Sequence, residues 1–415
     1  MKKVIIIIIG LILIGVGAYF IYQQFFATPG LPPAVPEMST EPTAPSESDI
    51  AGKTNAQDFI GKATELFPLK EMLAQTKTVD QILKNLDYAA RNLLPQLDRC
   101  DPAFIEMRNA VNAEVNISPA DFSPTRKMPH FLTAQTMQKM LLVKGMGMEN
   151  QGKLDKAVNN YLLAAQFGSV FAGKNTMLIQ KLVGVASEKM AYKPLKHFVL
   201  NHPQETELMK KIIATLEKAE QNRVPLSEAM RSEQKCLETV VKNRAHYAQD
   251  TEIANLSELE VQQILRDTER VYGQLCMFSE MPHATLIREN IAVKFEEMKL
   301  NNELHPLVRS QMLQVIPPKV REGTTATDNR LIRVMAAIQL YHHDKNAYPN
   351  SLSELAPTYL TTVPKDYFSD SDFVYGVRDN SFYLYSVGPD MQDNQEQPVY
   401  DPTNGTNSVG DIIGR

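Results

Sequence analysis

The chain has 415 residues, a formal charge of -5 and 43% hydrophobic residues, enough for two or three compact units. Its slight acidity, and the lack of a Lys/Arg stripe or a recognition motif, argue against nucleic acid as a partner.

Met1, Lys2 and Lys3 precede an uncharged run at residues 4–22. A helix rises about 1.5 Å per residue, so this run nearly matches the roughly 30 Å apolar core of a bilayer. Tyr19, Phe20, Tyr22, Phe25 and Phe26 gather at its far end, where amphipathic rings favour an interface. No basic residue follows before Lys53, which puts the amino terminus in the cytoplasm and the bulk outside it. The reading is a transmembrane anchor at 1–26, single-pass in a bacterial inner membrane, with the lipid as a partner. A cleaved signal peptide competes, but its apolar core is shorter, roughly 7–15 residues. Residues 27–56, rich in proline and acid, read as an extended linker.

From 57 to 316 the pattern is amphipathic helix. Val79, Ile82, Leu83, Leu86 and Ala90 share one face, and Ile212, Leu216 and Ala219 repeat the spacing. Pro194, Pro203, Pro225, Pro282 and Pro306 mark plausible helix boundaries. Within this body, 132–168 suggests two helices about a turn at Gly152, with Leu154, Ala157, Val158, Tyr161 and Ala165 packing back on the first. This stretch resembles a tetratricopeptide helix pair, although three copies of a 34-residue repeat are not found. Met137, Met140, Met146 and Met148 read as adaptable core, with a peptide groove as the alternative. Cys100, Cys236 and Cys276 leave two readings open: a Cys236–Cys276 disulfide, or three buried thiols.

No catalytic constellation emerges. Gly168, Gly173 and Lys174 lack the spacing and the Ser/Thr of a phosphate loop. Ser169, Ser187, and Cys236 with His246, have no base and orienter at diagnostic spacing.

Pro317-Pro318 and Gly323-Thr324-Thr325 predict a linker at 317–325 before a last unit at 326–415. Its helix would run over 326–344 with Leu331, Val334, Met335, Ile338 and Tyr341 buried. Adjacent His342 and His343 diverge on a helix and do not suit a metal. Residues 373–377 and 381–386 alternate with period two and predict antiparallel strands joined at Asp379-Asn380.

The segment RLIRVMAAIQLYHHDKNAYPNSLSELAPTYLTTVPKDYF, followed by FYLYSVGPD and Gly410-Asp411-Ile412, resembles the major pseudopilin of bacterial type II secretion systems. The resemblance implies a small α+β domain whose terminal loop is clipped by calcium. By residue match, Asp390 and Asp411 would be its side-chain ligands and Leu384 and Ser386 its carbonyl ligands. Asp393 or Asp401 would complete the set, since calcium takes roughly six to eight oxygens. A loop held by hydrogen bonds, or plain solvated acidity, are the competing readings. The start of the chain departs from that family: MKKVIIIIIG lacks its processing site and early Glu.

The expected fold class is therefore mainly α: a transmembrane helix, a partly tetratricopeptide-like helical body and a small pseudopilin-like α+β domain. The expected function is a non-enzymatic, membrane-anchored envelope scaffold with a calcium-stabilised head, touching a type II secretion or pilus-like assembly. A peptide-binding tetratricopeptide-like module and an envelope hydrolase using terminal-domain carboxylates are the alternatives.

Overall fold

The computed structural model describes residues 52–86, 93–123, 131–247, 253–401 and 408–415. We label the longer helices in chain order: α1 Ala56–Leu66, α2 Thr76–Asn85, α3 Asp101–Val111, α4 Phe131–Asn150, α5 Leu154–Phe171 and α6 Leu178–Asn201. After these come α7 Thr206–Gln221, α8 Leu226–Lys242, α9 Glu258–Glu280, α10 His283–Arg288, α11 Ile291–Leu300 and α12 Ile316–Lys345. The antiparallel sheet β1 Val374–Arg378, β2 Ser381–Ser386 and β3 Ile412–Ile413 has the order β1-β2-β3.

Local chemistry explains several boundaries. Asn55 begins α1 by accepting the Gln57 amide at 3.2 Å, and Ser257 and Glu260 form a reciprocal capping box at α9. Gly152, at φ +72°, lets α4 turn directly into α5, and the Lys153 amide donates to the Met148 carbonyl at 2.9 Å. Asp379 and Asn380 both take left-handed backbone (φ 52° and 57°), the geometry that joins β1 to β2 in a two-residue hairpin.

Helices α4, α5 and α6 pack in sequence, and α12 lies against α6 and α7. One apolar core runs from Ala56 through Met137, Phe167 and Phe198 to Leu331, Ile338, Phe368 and Ile412. A second gathers α8, α9, α10 and α11 around Met230, Tyr272 and Phe278.

Three expectations from the sequence differ from the structure. Among the described residues no helix is long and apolar enough to cross a membrane. The run at 4–22, the anchor at 1–26 and most of the linker at 27–56 lie outside the described residues. The single-pass architecture, the membrane as partner and the inner-membrane location rested on that run, and no described element supports them.

Second, 317–325 is not a linker. It is continuous with α12, where Pro317 and Pro318 occupy the first turn and their missing N–H groups leave no helical bond unmade. Gly323 is there for space, since a Cβ would come within 2.5 Å of the Tyr367 ring. Third, Pro194 does not end a helix but sits buried inside α6. Of the two readings of the cysteines, the structure shows three buried thiols, with no disulfide between Cys236 and Cys276.

The hairpin leaves no groove of its own. Met137, Met140 and Met146 are fully buried, and α4 and α5 are covered by α3 and α6. The peptide-module reading has no exposed floor to stand on.

Candidate functional site

The terminal loop brings the predicted ligands close in chain but commits them elsewhere. Asp390 accepts the Gln392 amide at 3.1 Å and the Gly410 amide at 3.0 Å. Asp411, fully buried, accepts the Glu396 amide at 2.7 Å and the Asn394 amide at 3.3 Å. Asp393 accepts the Tyr385 hydroxyl and the Gln395 amide, both at 2.9 Å. The Asp401 amide donates to the Ser408 hydroxyl at 3.0 Å.

The Leu384 carbonyl takes the Gly414 and Arg415 amides at 2.8 and 3.1 Å, as β3 pairs with β2. The Ser386 hydroxyl donates to Asp366 at 2.8 Å, and this buried carboxylate also accepts the Phe368 and Val387 amides. Burial pushes the Asp411 carboxyl up, and Asp393 and Asp390 add to it against the pull of the two amides.

These carboxylates act as acceptors that fold the loop. Among the described residues, no group of three or more His, Cys, Asp or Glu side chains is placed to hold a metal ion. The expected calcium-stabilised head therefore has no such cluster to support it, and the carboxylates of Asp390, Asp393 and Asp411 accept backbone amides of the loop.

A different feature, absent from the sequence reading, is a cavity of about 520 Å³ between the body and the last unit. Val185, Ala186, Lys189, Met190 and Lys193 line it from one face of α6, and Val320, Arg321, Thr324 and Thr325 from one face of α12. Asp80, Leu83 and Lys84 of α2, Lys139 of α4, and Tyr400 complete the wall. Leu83, Val185, Met190, Pro194 and Val320 give it an apolar floor.

Five cations, Lys84, Lys139, Lys189, Lys193 and Arg321, surround that floor. Lys139 pairs with Asp80 at 2.7 Å, and Lys189 with Asp328 at 3.3 Å. Among the residues that line the cavity, five are cationic and one, Asp80, is acidic. Lys193 also donates to the Lys84 carbonyl at 2.5 Å, tying α6 to the end of α2. Burial lowers the Arg321 pKa from its ordinary value and pushes the Tyr400 hydroxyl up to about 12.

A buried polar seam on an adjoining face of α6 fixes the cavity's two long walls. Arg223 clamps Glu188 through two bonds of 2.9 and 2.6 Å, and the Tyr192 hydroxyl donates to the same carboxylate. Asn329 of α12 donates to the Tyr192 oxygen at 3.2 Å and to the Leu216 carbonyl at 3.1 Å. Lys181 meets Glu322 at 2.9 Å. Burial raises the Glu322 pKa, but Lys181 and Arg223 outweigh it and hold the carboxyl below its ordinary value. Two charges in a dry environment cost less together than apart, so the seam resists separation of α6 from α12.

The sequence carried one legible sign of this site. Lys189 and Lys193 stand four residues apart on the face that also carries Val185 and Met190. The spacing does not tell which second helix faces them.

No family model, no curated protein and no solved structure matches the chain.

Proposed function

We propose that the protein is a non-catalytic binding protein for a small amphipathic anion, a carboxylate carried on an apolar chain. The supporting observation is the surplus of positive charge around an apolar floor in a cavity of about 520 Å³. That volume falls within the roughly 300–1,000 Å³ typical of small-molecule sites, where an apolar lining supplies affinity and a few polar groups set orientation. Lysine ammonium groups recognise the anionic end as point charges, while Val185, Met190 and Val320 shelter the chain.

Calorimetric titration with decanoate tests the reading, with decyltrimethylammonium as the chain-matched cation. Decanoate gives a saturable heat and the cation none. Replacing the paired rim lysines, Lys84→Gln with Lys193→Gln, weakens decanoate by about tenfold, the scale of one charge-assisted hydrogen bond. Ala186 is exposed on the cavity-facing side of α6, so Ala186→Trp fills the space without disturbing the core and removes binding. Equal heats for the two amphiphiles, or no heat for decanoate, overturn the proposal.

A further inference from the structure

We infer that occupancy of the cavity is thermodynamically linked to docking of the chain's terminal segment, so that ligand loading is read out at β3. This inference rests on the binding reading above and adds its regulation.

Tyr400 contributes to the cavity wall from the segment between β2 and β3. It is held there by an exchange of backbone bonds. The Tyr400 amide donates to the Asp411 carbonyl at 2.9 Å, and the Asp411 amide donates to the Pro398 carbonyl at 3.0 Å. The Lys189 ammonium stands 5.9 Å from the centre of the Tyr400 ring.

Lys189 also begins a charge relay. Its ammonium meets one oxygen of Asp328 at 3.3 Å, and the other oxygen takes Lys196 at 2.6 Å. Lys196 in turn donates to the Ile413 carbonyl of β3 at 2.8 Å. Burial opposes ionisation of Asp328, but the two lysines prevail and hold its pKa below the ordinary value. One lysine therefore belongs both to the cavity wall and to the chain of contacts that ends on the terminal strand.

An anion seated beside Lys189 and against Tyr400 makes contacts that exist only while the terminal segment is docked. A ligand that binds one of two states stabilises it in proportion to 1 + [L]/Kd, about 100-fold at 100 times Kd. By linkage, the ligand binds more weakly when the terminal segment is released.

Hydrogen–deuterium exchange on the full chain tests this, alongside calorimetry with decanoate. At saturating decanoate, exchange at the Tyr400, Asp411 and Gly414 amides slows by about 100-fold. Amides of α9, in the second core, keep their rates. Lys196 lies outside the cavity lining, so Lys196→Met speeds exchange at Gly414 in the free protein, and decanoate slows it again.

A saturable heat with unchanged exchange overturns the linkage and leaves the binding reading intact. No heat overturns both. An unaltered Gly414 rate in Lys196→Met overturns the route through Asp328.

Discussion

Gly168 of α5 and Gly184 of α6 mark a close approach between these two helices. A Cβ on Gly168 would sit 2.4 Å from the Glu188 amide nitrogen, and one on Gly184 would sit 2.6 Å from the Gly168 carbonyl oxygen. Both obstacles are backbone, which cannot swing aside. Gly168→Ala should therefore cost about 1–3 kcal/mol, the usual scale of an overpacked core, as measured by denaturant unfolding. Glu233 illustrates a different single-residue effect. Its carboxylate accepts the Leu178 amide at the start of α6, yet burial pushes its pKa up from 4.5 to about 7. The folded state then holds a proton that the unfolded state releases, so this contribution to stability is full below pH 4.5. It declines as pH rises to about 7 and is constant above that. His283 acts in the opposite sense, because burial lowers its pKa and the unfolded state binds the proton first. The test is therefore the difference between wild type and Glu233→Gln at pH 5 and pH 8. Relative to wild type, the variant should be more stable at pH 8 than at pH 5.

At the scale of elements, α12 organises the molecule. Residues from Pro317 to Leu340 are almost continuously buried, far beyond the single apolar stripe of a surface helix. Two of its arginines find partners on α7. Arg333 donates to Glu220 at 2.6 Å and to Glu217 at 2.9 Å, and Arg330 donates to Glu220 at 2.6 Å. Arg333→Met should cost about 2–3 kcal/mol, below the 3–5 of a fully buried pair because both glutamates keep some contact with water. Thermal unfolding of that variant beside Arg330→Met would rank the two arginines, and Arg333, the more buried, should matter more. The proline and glycine positions at 317–325 show why this helix was misread. Proline is a breaker in a helix interior but is accommodated in a first turn, and Gly323 answers to the Tyr367 ring.

For the whole molecule, the consequence is that the last unit has no core separate from the body. Leu331, Ile338, Phe382 and Ile412 share one apolar cluster with Met137, Phe167 and Phe198. Residues 316–415 expressed alone would expose the faces of α12 that meet α6 and α7. That fragment should show poor NMR dispersion and a tendency to associate, while in the full chain α12 should protect its amides together with α5 and α6. A fragment with native-like dispersion would contradict the shared core.

Periodicity alone was enough to give this chain its helical character and the two antiparallel strands at the end. Apolar spacing and a turn at Asp379-Asn380 depend on the near neighbours of each residue, and sequence displays near neighbours directly. The Met-rich stretch of α4 was legible as core for the same reason. The acidic terminal loop was legible as composition but not as chemistry. Whether a carboxylate faces an ion or an amide depends on how the backbone folds around it, and here the amides of Gly410, Glu396 and Gln395 take that place. The cavity lay further out of reach. Val185, Lys189 and Lys193 share a face in any helix, but Val320 and Tyr400 meet them only because α12 docks against α6 and the terminal segment closes the wall. Contacts so distant along the chain are set by tertiary packing, which decided both the site and the union of body and last unit.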